Sequence, residues 1–147
     1  DEKDYNARAN LAWAATLALN GISSSGIGGD WACHSIEHSL SAVHPKIAHG
    51  TGLGIVFPAW IKYAQKENQA TFNRWAKDIW NTEQVDEAIS SFKNKLKVWK
   101  APVSLSEIGI KFEELEFLAK NAFESPTLGK VKKLYPNDVL EILKLAY

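Results

Sequence analysis

The chain has 147 residues, 46% of them hydrophobic, which suits one compact domain with a real core and argues against a disordered segment. Seventeen basic side chains balance seventeen acidic ones, so no net field draws the chain to nucleic acid or to an anionic membrane surface. Cys33 is the single cysteine and cannot close an internal disulfide, and no leader or bilayer-length apolar run opens the sequence, so a soluble protein of a reducing, cytoplasmic compartment is expected.

The opening stretch "DEKDYNARANLAWAATLALNG" starts at Asp rather than Met and is helical within a few residues, which reads as a piece of a longer protein. The lack of any Met hints in addition at an edited sequence. From about Asp4 to Asn20, Ala7, Leu11, Ala14, Ala15, Ala18 and Leu19 recur at helical spacing and predict a helix packed closely through small residues, ended by Asn20-Gly21. "SSSGIGGD" breaks the pattern. Asp30 is placed to cap a second helix carrying Trp31, His34, Ile36, His38 and Leu40.

"HPKIAHGTG" reads as a loop, because Pro45 lacks an amide donor and Gly50 and Gly52 permit tight turns. "LGIVFPAWIKYAQ", from about Leu53 to Gln65, predicts a buried central helix that Pro58 should bend. "NQATFNRWAKDIWN" sets Phe72, Trp75, Ala76, Ile79 and Trp80 on one face. "TEQVDEAISSFKNKLKVWK" does the same with Val85, Ala88, Ile89, Phe92, Leu96 and Trp99, starting near Thr82 and stopped by Pro102. "KFEELEFLAKNAF" and "PNDVLEILKLA" are two shorter helices, the second with Pro136 in its first turn. No stretch alternates as a strand does, so the fold expected is an all-α bundle of roughly six to eight helices, a single domain over residues 1–147.

All four histidines fall between residues 33 and 50. His34 and His38 are four apart, one turn from each other on one helix face, a geometry that can share a metal. A turn after Pro45 could bring His49 back over that face. Spacing alone leaves a metal or catalytic site and a satisfied structural cluster equally open.

"HSIEHSLSAVHPKIAHGTGLGIVFPAW", preceded by "GGDWAC", resembles the signature of the iron-containing alcohol dehydrogenases, nearest to their butanol dehydrogenase branch, and the resemblance runs from "NARANLAWAATLALNG" to "DVLEILKLA". It implies the carboxy-terminal helical domain of a protein whose amino-terminal domain, absent from this chain, binds the dinucleotide. The implied reaction is hydride transfer between NAD(P)H and a small aldehyde or primary alcohol, on Fe2+, Zn2+ or another divalent ion. In the family, an Asp and a His of the first domain and two His of the second hold the ion. The resemblance assigns His34 and His49 as the two metal ligands here and His38 as a polar or proton-relay group near the nicotinamide and substrate. The usual interval is one residue shorter than His34 to His49, which puts Ala48 in strict register and leaves His44 as a spare. Alone, the chain should hold metal weakly and turn over nothing.

Bland readings stand beside these. His44 reads as a surface loop residue, the Trp residues at 13, 31, 60, 75, 80 and 99 as mainly core, and Cys33 as a small buried thiol. Phe57 and Trp60, flanking Pro58, suit core packing more than the lining of an alcohol or aldehyde pocket. The rival to the enzyme is an excised or engineered helical scaffold, or an interaction module using apolar faces that the missing domain would cover; a homo-oligomer fits either.

Overall fold

A computed structural model describes residues 3–123 and 127–147. Its described residues form seven α-helices and four short 3-10 turns, with no strand beyond one isolated antiparallel bridge between Leu128 and Leu134. The expected all-α fold is the one observed. None of these helices is long and apolar enough to cross a membrane.

The chain divides into two compact units, residues 1–30 and 31–147. The first holds α1 (Tyr5–Leu19), where the Asp4 carboxylate accepts the Ala7 N–H at 2.9 Å, and a 3-10 turn entered through Gly21 at φ 89°. The close packing expected of α1 is absent: none of its residues is buried, and Leu11, Trp13 and Leu19 are mostly exposed. Among the described residues of this unit a single 3-10 turn follows the helix, too small a surface to cover an apolar face.

The second unit is built around α3 (His49–Ala64), which packs against α2 (Ala32–Val43), α5 (Val85–Val98) and α7 (Pro136–Ala146). The unit also contains α4 (Gln69–Trp80), paired with α5, and α6 (Leu115–Asn121), which contacts α2 and α7. Ile55, Val56, Ala59, Trp60, Ile61 and Ala64 of α3 are buried, as a central helix requires. Burying a side chain such as Ile55 contributes about 1.5–3 kcal/mol. The helix runs without interruption through Pro58.

Two helix starts differ from expectation. Trp31, not Asp30, occupies the N-cap of α2 and supplies no side-chain cap bond. The loop predicted through Gly52 ends at Ala48, so that His49, Gly50 and Gly52 belong to the first turns of α3. Gly52 is in a helix because of its neighbour. A Cβ there would lie 2.6 Å from Glu37 Cγ, so the glycine admits a close approach of α2 to α3 and does not mark a turn.

The tryptophans split. Trp60 is buried and Trp75 and Trp80 pack against the core, whereas Trp13, Trp31 and Trp99 are 62%, 52% and 66% exposed, against the expectation of core. Trp31 and Trp99 sit at the two ends of helices, where the periodic pattern no longer dictates a direction; Trp99 lies under the Lys95 ammonium at 5.4 Å from its ring centre. Ile79, placed by periodicity on the inner face of α4, is likewise exposed, and only Phe72 and Ala76 of that helix are buried. Helical apolar spacing defines a stripe wider than the strip of α4 that is buried.

Candidate metal centre

α2 presents His34, Glu37, His38 and Ser41 at the i, i+3, i+4 and i+7 positions of one face. The close crossing at Gly52 lays the first turn of α3 against that face and sets His49 opposite His34. One ligand nitrogen from each of His34, His38 and His49 lies within 4.8 Å of the others. His34 Nδ1 and His49 Nε2 face each other at 3.2 Å. The ring centres are 5.1 Å apart for His34 and His49, 5.4 Å for His38 and His49, and 6.2 Å for His34 and His38. The pair that sequence spacing favoured is thus the most separated of the three.

His34 is half-buried beside Trp31, whose ring centre is 4.9 Å away, while His38 and His49 are exposed. Burial first, then the neighbouring His49 and His38, hold the His34 imidazole below its ordinary pKa, against an opposing pull from Glu37. That favours the neutral ring, the form with a lone pair to offer.

Beneath the cluster Glu37 is completely buried. Its Oε2 accepts from His49 Nδ1 and its Oε1 accepts the Ser41 hydroxyl. No reading of the sequence singled out Glu37 or Ser41. The signal was there: Glu37 is the only acidic residue between Asp30 and Glu67, and it shares a helix face with two histidines.

His44 stands apart from the three. It terminates α2, and its Nε2 bonds Glu114 Oε1 at 2.9 Å, so it is a partly buried, hydrogen-bonded residue instead of the surface loop residue expected. The Lys111 backbone N–H, followed by His44, holds the Glu114 carboxyl below the usual range. His38 borders a cleft of about 230 Å³ shared with Ser35, Ser39 and Asn121, where Ser39 donates to the Leu118 carbonyl at 2.8 Å and receives Asn121 Nδ2 at 3.2 Å. Phe57 and Trp60 lie two to three turns farther along α3 in an aromatic cluster with Phe72, Trp75 and Phe92. Cys33 is buried.

The sequence profile described as "Fe-containing alcohol dehydrogenase family, C-terminal" matches residues 1–147. The chain belongs to this family. NADH-dependent butanol dehydrogenase A of Clostridium acetobutylicum is 38% identical over 154 residues, an alignment covering 98% of the chain and 39% of that protein. The NADPH-dependent aldehyde reductase YqhD of Escherichia coli is 33% identical over 84% of the chain and 33% of its own length. Among solved structures, NADH-dependent butanol dehydrogenase A of Thermotoga maritima superposes with a TM-score of 0.90 at 49% identity, covering 97% of the chain and 39% of that structure. An E. coli YqhD structure gives 0.92 at 31% identity, over 100% and 40%. The chain therefore spans about two fifths of the length of these iron-family relatives.

The donor set fits a divalent ion. Two nitrogens each about 2.1 Å from one metal, at angles between square and tetrahedral, are separated by roughly 3.0–3.4 Å. The 3.2 Å between His34 Nδ1 and His49 Nε2 falls in that span. Imidazole nitrogen suits iron and zinc alike.

Proposed function

We propose that this chain is the metal-binding, carboxy-terminal domain of a two-domain dehydrogenase that interconverts small aldehydes and primary alcohols with NAD(P)(H). His34 and His49 supply two ligands to a divalent cation, and His38 is a proton-relay or polar group beside the reacting carbon and nicotinamide. The observation that carries this reading is the facing of His34 Nδ1 and His49 Nε2 at 3.2 Å. Support comes also from family membership and from the relatives themselves, an NADH-dependent butanol dehydrogenase and an NADPH-dependent aldehyde reductase.

His34 and His49 would hold a divalent cation, which would supply Lewis acidity toward a carbonyl oxygen. The chain's own residues do the rest of what this domain contributes. Neutral His34 offers a lone pair, and the α2–α3 crossing holds both rings at one point. His38, exposed at the mouth of the Ser35–Ser39–Asn121 cleft, can exchange a proton with an alkoxide and with solvent. The dinucleotide site and the remaining metal ligands belong to the amino-terminal domain, so this domain alone should be inactive.

Calorimetric titration of the two-domain protein with Zn2+ tests the reading. One-to-one binding that disappears in His34→Ala and in His49→Ala is expected. Binding that ignores both substitutions, or no binding by the unmodified protein, rejects it in favour of a helical scaffold in which the histidines merely persist.

A further inference from the structure

The fully buried Glu37 has no part in the ligand assignment, yet its placement is costly. A carboxylate removed from water must be compensated by hydrogen bonds or charge, and here the compensation comes from the Ser41 hydroxyl and the His49 imidazole. α3 makes room for it at a position where any other residue would collide, since a Cβ on Gly52 would lie 2.6 Å from Glu37 Cγ and 2.9 Å from Oε1. Glu37 cannot swing aside, because its whole side chain is enclosed.

We propose that Glu37, fixed by Ser41 and seated against Gly52, is a positioning residue that holds His49 with its proton on Nδ1 and turns the Nε2 lone pair toward His34 Nδ1. Acceptance by the carboxylate demands an Nδ1–H donor, so Nε2 is left as the basic nitrogen. That is the nitrogen 3.2 Å from His34 Nδ1. A free imidazole has no such constraint, and its rotation or the opposite tautomer would point an N–H at the site. This deepens the metal reading above and rests on it.

The test uses the two-domain protein and two readouts. Nitrogen-15 NMR of the metal-free, unmodified protein reports the His49 tautomer directly; Nδ1–H is expected, and an Nε2–H ring overturns the proposal. Titration with Co2+, followed through its visible spectrum, then compares the parent with Glu37→Gln and Gly52→Ala. Glu37→Gln keeps the size and an acceptor oxygen, so it should fold while losing roughly 10–100-fold in Co2+ affinity, with an altered spectrum. Gly52→Ala, which touches no ligand but fills the seat of Glu37, should shift affinity in the same direction. Affinity and spectrum unchanged in Glu37→Gln, with binding still abolished by His49→Ala, would leave the metal reading standing and make Glu37 structural only. Binding unaffected by His34→Ala and His49→Ala would overturn both.

Discussion

Individual side chains in this domain are tuned by one or two neighbours, and Tyr63 shows it away from the histidines. Its hydroxyl donates to Asp138 Oδ1 at 2.5 Å, and chiefly that bond, with some burial, pushes the phenol up to about 12. The native state keeps this proton after the unfolded chain, with an ordinary value near 10, has lost it. The contribution is therefore complete below pH about 10 and is lost as pH rises toward about 12. Alkaline difference spectroscopy should show a late phenolate step that Tyr63→Phe removes. His38 is the residue with a kinetic prediction: in the two-domain protein His38→Ala should keep bound metal and lower kcat by about 10²–10⁴-fold, the range for losing a general acid or base. Steady-state kinetics on metal-loaded enzyme measures it, and loss of metal with the activity would make His38 a ligand. The histidines were legible in sequence as a cluster, but the pairing was not. Spacing along one helix brings His34 and His38 to the same face, whereas the nearest nitrogens belong to residues on different helices.

Helices were read well where apolar periodicity extends over several turns, as in α3 and α5, and poorly where glycine was taken as a breaker. Gly52 has a packing reason that no local pattern contains, because the atom that excludes a side chain comes from Glu37, fifteen residues earlier. Two effects compete in Gly52→Ala. Helix propensity favours alanine by about 1 kcal/mol, while overpacking against an enclosed side chain costs about 1–3 kcal/mol. The second should win, giving net destabilisation in a urea melt; a stabilised variant would show that Glu37 can yield. The same limit explains α2, whose start at Ala32 with Trp31 in the cap position left Asp30 outside the helix that it was expected to cap. Exposed Trp31, Trp99 and Ile79 mark where a helix face outruns its neighbour, something a periodic pattern cannot encode.

At the scale of the molecule, the core of residues 31–147 is one continuous set of apolar side chains drawn from α2 to α7, and α3 ties it together. Ile55 is fully enclosed on that helix. Ile55→Ala should destabilise the unit by about 2–5 kcal/mol through lost transfer energy and the cavity left behind, measurable by urea unfolding. The all-α class was legible because every long segment carries helical spacing, and the exposure of α1 was not, since a sequence specifies an apolar face without saying what covers it. The same core fixes the site, for it holds α2 and the first turn of α3 at the crossing from which His34 and His49 meet. The most direct measurement of that central claim is the metal content of the purified two-domain protein and of three variants. Stoichiometric metal in the parent and in His38→Ala, with loss in both His34→Ala and His49→Ala, is the result predicted; metal lost from His38→Ala but retained in His49→Ala would contradict it.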